Sequence, residues 1–291
     1  MQYALMHQTV GQQQEMLIRI EDDFGLKKIA DSGQCFRVRE FEDGMFRFVT
    51  GDSILYIKPS DKVCCYEVSC SESEWNGIWQ QYFDLNRNYS AICKSIPSSD
   101  KYMQAAAECG QGIRILKQEP WEMLISFIIS QRKSIPAIKT SIELICAKFG
   151  KTVVTEYEEL FLFPSAEDIY KKLSEDGSCL ADCKLGYRLK YIEDAVRRVF
   201  LKEIDLEEFY SYNSVDLLCN LKQVYGVGDK VANCIALFAY NRCELAPVDT
   251  WIKKVIEGVY GGVNPFPSYG SVAGIMQQYI FYYALTHKQE F

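Results

Sequence analysis

The 291-residue chain contains no uninterrupted apolar run of eighteen residues, the length that would suggest a membrane-crossing helix. Its first ten residues lack a basic stretch followed by an apolar core, so no secretory leader is expected and the protein is read as cytoplasmic. Histidine is nearly missing, with two in the whole chain, and the twelve cysteines include no CxxC pair. Cys64-Cys65 with Cys70, and Cys179 with Cys183, come nearest to metal-ligand spacing, but without histidine or further paired thiols they do not make a zinc site. No internal repeat, low-complexity tract or long linker interrupts the chain. Basic charge is not in excess either. The formal net charge is −7 and the pI is near 5.1, unlike the basic face of a general nucleic-acid binder.

What is present is core material. An apolar fraction of 48% with 13% aromatics excludes disorder, and the length allows one large domain or two to three smaller ones. The cysteines fall inside apolar patterns such as Leu144-Ile145-Cys146. That is the usage of buried free thiols in a reducing compartment, not of a disulfide scaffold.

Residues 14–70 alternate with period two. Strands are expected at 16–18, 36–41, 45–49, 54–57 and 63–68, with turns at Glu42-Asp43-Gly44, Gly51-Asp52 and Pro59-Ser60-Asp61. Ser71-Glu72-Ser73-Glu74 should cap a helix beginning at Trp75. From Asp100 the pattern is helical almost to the end, with helices expected at 121–130, 135–149, 166–174, 187–199, 214–224, 229–240, 250–260 and 271–285. The segment 121–130 is apolar nearly all round and should be a central buried helix. The fold class is therefore α+β, with an antiparallel sheet domain over residues 1–108 and a helical domain over 109–291.

The stretch 221–255 organises the helical part. Gly226-Val227-Gly228 is a tight turn between two apolar helical segments, and Asp229-Lys230 opens the second. Such a turn brings backbone N–H groups and a helix N-terminus against a phosphate, which grips nucleic acid without reading bases. It does so without net positive charge, which answers the acidic composition. Lys230 falls in the first turn of that helix, and Pro247-Val248-Asp249-Thr250-Trp251 leads into the next with Asp249 as a natural N-cap. Taken alone, the hairpin suits a non-catalytic DNA-binding module, with Lys230 a solvated side chain, as well as it suits an enzyme.

The block resembles the helix-hairpin-helix, Gly/Pro-Asp superfamily of DNA glycosylases. Within it the 8-oxoguanine DNA glycosylases match best, in a bacterial, clostridial-like version. Asp31-Ser32-Gly33-Gln34-Cys35-Phe36-Arg37 is similar to the family's N-terminal element. Gly112-Ile113-Arg114-Ile115-Leu116-Lys117-Gln118-Glu119-Pro120 is similar to its interdomain segment, and Lys184-Leu185-Gly186-Tyr187-Arg188 to a further turn. The resemblance spans nearly the whole chain. It implies a TBP-like sheet domain followed by the glycosylase domain, acting as a monomer on damaged double-stranded DNA with no cofactor required. Relatives often end in a four-cysteine iron–sulfur loop. No cysteine follows Cys243 here, so no such cluster is expected.

On that resemblance Lys230 is the nucleophile that attacks the sugar C1′, forms a Schiff base and nicks the strand by β-elimination. Burial, the helix N-terminus and neighbouring cations are expected to lower its pKa. Asp249 would both cap its helix and stabilise positive charge developing at C1′. A flipped base needs a pocket. Gln277 and Phe281, four apart on the last helix, are implied to bond the base's edge and stack on it, with Cys234 as the opposite wall. The Gly33 carbonyl is implied to accept the hydrogen that oxidation places on N7. Gly226, Gly228, Val231 and Trp251 are assigned to the DNA backbone, although Trp251 stands where eukaryotic members carry a histidine. A structural cation, monovalent or Ca/Mg, is implied at the main-chain oxygens of Lys222, Val224 and Val227.

The opposite-base side departs from the pattern. Ser130-Gln131-Arg132-Lys133-Ser134 replaces the family's asparagine run and places Arg132 where an asparagine would touch the orphaned base. A second arginine position is filled by Ala137, leaving Tyr187 as the wedge beside Arg188. A relaxed opposite-base preference is expected. The alternatives are an alkylated-base glycosylase using water activated by Asp249, against which Lys230 argues, and the non-catalytic binding module.

Overall fold

The computed structural model describes residues 8–9 and 16–287; the first seven residues, read above for a leader, lie outside them. Among the described residues no helix is long and apolar enough to cross a membrane.

Five strands form an antiparallel sheet in the spatial order Met16–Arg19, Cys65–Val68, Ser53–Pro59, Phe46–Thr50 and Arg39–Glu40. Phe46 lies opposite Ile57 and Phe48 opposite Leu55, so the period-two pattern sends these four to one face. There they meet Trp79 and Phe83. The alternate residues Met45, Val49, Ile54 and Tyr56 form a second apolar face, covered by Val153, Leu160 and Leu162. Val153 and Leu160 belong to a hairpin, Thr152–Val154 paired with Glu159–Phe161, which Leu162 directly follows and which the helical reading of this region did not anticipate. A sheet apolar on both faces needs two covers, and the hairpin is the second.

Two further expectations are corrected. The strand expected over 36–41 shrinks to Arg39–Glu40, because Phe36 leaves the sheet and packs into the helical core, 5.6 Å from the Phe127 ring centroid. The helix expected from Trp75 begins at Glu72. Ser71 is its N-cap and Glu74 completes a reciprocal capping box, so the Ser71–Glu74 segment is the first turn rather than its prelude.

The helical part is built around Pro120–Ser130, buried along almost its whole length as expected of an all-apolar helix. Pro120 occupies the first turn, and Glu119 accepts from the N–H groups of Trp121 and Glu122. Ile135–Phe149, Leu189–Phe200 and Asp229–Phe238 pack on it, and Ser214–Leu221, Thr250–Gly258 and Ala273–Thr286 complete the helical part. Three of these helices end two or three residues short of expectation. The Phe238 carbonyl, for example, accepts the Gln118 N–H at 2.8 Å, so it serves the interdomain segment instead of a further turn. The last helix packs against Lys101–Gly110, where Gly110 leaves room for the Tyr279 ring: a Cβ there would lie 2.5 Å from it.

Candidate active site

The hairpin is held from below. Gly226 has φ +86°, and a Cβ on it would meet the Tyr191 ring at 2.5 Å, so glycine is required both for conformation and for packing. Gly228 instead faces open space. It is the N-cap of Asp229–Phe238 and no side chain caps that helix, so the N–H groups of Asp229, Lys230 and Val231 have no side-chain acceptor. A ten-residue helix with a bare N-terminus behind an open glycine has the geometry that suits a phosphate. The Val231 side chain is buried in the core, which leaves only its backbone for any contact at the hairpin. Lys222 is paired with Asp229 at 3.0 Å, and the Val224 carbonyl accepts the Val227 N–H at 3.0 Å.

Lys230 is half-buried, with Nζ 5.4 Å from the centroid of Phe127, which stacks on Phe238. The apolar helix Pro120–Ser130 thus supplies the floor beneath the amine. Cys234, one turn on, is fully buried. Burial holds its thiol above its ordinary pKa, against the pull of the neighbouring Lys230 ammonium toward thiolate. It is a neutral wall, not a competing nucleophile. Asp249 caps Thr250–Gly258 by accepting the Ile252 N–H at 2.8 Å, worth about 1 kcal/mol to that helix, which leaves its second oxygen free of that duty.

These residues meet. Gly33, Phe127, Lys230, Cys234, Phe238, Pro247, Asp249, Gln277, Gln278 and Phe281 line one inner cavity between the hairpin helix and the last helix. It opens into a cleft of about 630 Å³ whose rim carries Arg132, Lys133, Trp251 and Lys253. The inner cavity measures about 50 Å³. A 150 Å³ cavity is the kind of space that holds benzene, so a purine requires the walls to part. Phe281 is the wall on the Gly33 side: it is half-buried, and its ring edge lies 3.0 Å from where a Cβ on Gly33 would be. Gln277 is buried, and its Oε1 has no hydrogen-bond partner.

Gly33 itself, at φ +77°, is partly exposed between two fully buried neighbours, Ser32 and Gln34. Gln34 donates to the Ser32 hydroxyl (2.8 Å) and the Arg114 carbonyl (2.9 Å) and accepts the Leu116 N–H (2.8 Å). Arg114 is in turn buried against the Asp22 carboxylate and four main-chain carbonyls. Gln34 and Arg114 lie within the motifs quoted above, but their roles are set by tertiary partners that the motifs do not reveal. Sequence reasoning missed Phe127, and it missed Gln278; a polar pair inside the apolar last helix was the available signal.

On the other side of the cleft, Tyr187 is exposed and suits a wedge. Arg132 is exposed with φ +48°, while Arg188, expected beside the orphaned base, is turned inward. Its guanidinium donates to the carbonyls of Gln131 (2.8 Å from Nε) and Leu185 and covers the Tyr187 ring at 4.4 Å. Its duty in this structure is to hold the Arg132 loop and the wedge. Lys133 donates to the Lys184 carbonyl at 2.8 Å, and burial, then Arg188 and Lys184, lower its pKa. Arg132, Lys133 and Lys253 give this rim local positive charge on an acidic chain.

A cavity that joins an amine, a carboxylate and an unpaired amide oxygen behind a backbone phosphate site defines a base-excising enzyme of the helix-hairpin-helix class. Residues 16–124 match the family described as "8-oxoguanine DNA glycosylase, N-terminal domain". Over 99% of its length the chain superposes on all of MBOgg1, solved with a low-affinity DNA ligand, with a TM-score of 0.87 and 34% identity. The Clostridium acetobutylicum 8-oxoguanine glycosylase/lyase, solved with DNA bearing cytosine opposite the lesion, is 34% identical with a TM-score of 0.86, covering 94% of this chain and 96% of that one. The N-glycosylase/DNA lyase of Saccharomyces cerevisiae is 30% identical over 193 residues, which are 62% of this chain and 50% of the yeast protein. The chain belongs to the 8-oxoguanine glycosylase/lyase family.

Proposed function

We propose that the protein excises 8-oxoguanine from duplex DNA and then cleaves the strand at the resulting abasic site. One observation carries this: Lys230, Asp249, Gly33, Gln277 and Phe281, drawn from three distant parts of the chain, line a single small cavity. The Lys230 amine attacks C1′ of the flipped nucleotide. The C1′–N9 bond breaks and its electron pair leaves with the base, which takes up a proton. The sugar ring then opens to an imine between Nζ and C1′. Loss of a C2′ proton expels the 3′ phosphate, and water regenerates the lysine. Asp249 faces the positive charge that develops at C1′ in the first step.

Recognition follows from donors and acceptors. The unpartnered Gln277 Oε1 is an acceptor at a cavity wall, and guanine's Watson–Crick edge presents N–H donors. An unpaired buried acceptor costs about 1–3 kcal/mol, recovered when the base arrives. Oxidation at C8 converts N7 from acceptor to donor, which suits the Gly33 carbonyl, whereas normal guanine would set two acceptors against each other. A main-chain cation at Lys222, Val224 and Val227 would reinforce the hairpin, and the protein works without another cofactor.

The test is a duplex carrying one 8-oxoguanine, incubated with borohydride. The expected outcome is base loss, a nick and a covalent enzyme–DNA adduct, all abolished by Lys230→Gln while DNA binding persists. Base loss without an adduct would favour the water-activating glycosylase, and binding without base loss the non-catalytic module.

A further inference from the structure

The family reading gives the lesion-reading duty to one carbonyl, on the most permissive residue of the chain. Glycine at positive φ has little intrinsic preference to hold its carbonyl still. Discrimination by a single hydrogen-bond acceptor requires that it not rotate away from N7, so something must fix it.

The Gly33 carbonyl belongs to the peptide plane joining Gly33 to Gln34, and each peptide is rigid, so its aim depends on the planes before and after it. The plane before is held at the Ser32 carbonyl, which accepts from Gln278 Nε2 at 2.5 Å. The plane after is held at the Gln34 carbonyl, which accepts from Gln118 Nε2 at 2.9 Å. Gln278 and Gln118 are both almost fully buried, so water does not compete for either bond. Gln278 also lines the inner cavity and is adjacent to Gln277 on the last helix. The element that carries the amide reader of the base therefore grips the loop that carries the carbonyl reader, across 246 residues of sequence.

We propose that Gln278 is a specificity-determining positioning residue: by clamping the Ser32 carbonyl it locks the Gly33 carbonyl toward the base, with Gln118 as the matching clamp on the far side. This rests on the excision reading above. Lys230 and Asp249 sit on other elements and make none of these bonds, so the clamp serves recognition of the base and not attack on the sugar.

The test uses Gln278→Met, which keeps volume and removes the donor, and Gln118→Met as an independent second variant. Binding to duplexes with and without 8-oxoguanine is measured in the Lys230→Gln background, and cleavage of a pre-formed abasic site in the Lys230 background. The expected result is a loss of roughly tenfold in the affinity ratio for lesion over normal duplex, the scale of one hydrogen bond. Abasic-site cleavage, which has no base to read, should fall by less than the affinity ratio does. An unchanged ratio in a folded variant, or a parallel fall in abasic cleavage, overturns the clamp. If Gln278→Met does not fold, Gln118→Met decides by the same two readouts. Failure of the unsubstituted protein to cleave abasic DNA would instead overturn the excision reading itself.

Discussion

The two sides of the cleft are built on opposite plans. On the lesion side Gln34, Arg114 and Gln278 are buried, each with particular partners, and fix a loop that presents one glycine carbonyl to the cavity, where the Gln277 Oε1 alone among these buried amides is left unpartnered. On the opposite-base side, Tyr187 and Arg132 are exposed, and the one buried arginine, Arg188, spends its donors on main-chain carbonyls. Low dielectric and fixed geometry make a hydrogen bond selective; exposure and side-chain freedom make it tolerant. The lesion side is built to discriminate, dry and rigid; the opposite-base side is exposed.

The largest effect should come from the chemistry on the dry side. Asp249→Asn keeps the N-cap, since asparagine caps as well as aspartate, and removes the charge. Excision in single-turnover kinetics should fall on the order of 10²- to 10³-fold, the scale of losing one preorganised electrostatic stabiliser, while thermal stability stays unchanged. A variant that melts earlier and reacts normally would make Asp249 a cap and nothing more.

Phe281→Ala gives a smaller effect and tests whether the closed inner cavity matters. Stacking on a base is worth about 1–3 kcal/mol, so lesion binding should weaken by roughly ten- to a hundredfold. Cleavage of a pre-formed abasic site, with no base to stack, should be nearly unaffected. Equal losses on both substrates would mean that Phe281 supports the helix packing and not the base.

The sequence makes one class of feature legible and hides another. The Gly226-Val227-Gly228 turn, the cap at Asp249 and the capping box at Ser71 are local, and their residues announce their conformations within a few positions. Lys230, Gln277 and Phe281 could be placed together only through resemblance, because the segments that converge on the cavity lie far apart in the chain. The clamp from Gln278 to Ser32 is wholly tertiary, and nothing near either residue predicts it. The strand expected at 36–41 failed for the same reason: Phe36 alternates correctly for a strand, yet the helical core claims it. The hairpin at 152–161 was overlooked because its strands are only three residues each, although Thr152-Val153-Val154 is β-branched throughout.

The smallest expected effect concerns the wet side. A guanidinium carries five donors and no acceptor, and every orphaned base offers it acceptors on its exposed edge. Cytosine is set apart from thymine by its amino donor, which an arginine cannot read. Arg132, exposed and in the left-handed region, can therefore contact whichever base is opposite, and excision opposite C, A, G and T should fall within a hundredfold range. Arg132→Ala should slow all four by a similar small factor, leaving their order unchanged, as removal of a non-reading contact does. More than a hundredfold preference for cytosine, or a preference that collapses selectively in Arg132→Ala, would show that this side reads sequence after all. A cytosine preference that survives Arg132→Ala would instead require the Arg188 guanidinium, which lies over the wedge ring, to leave the Gln131 carbonyl when DNA binds.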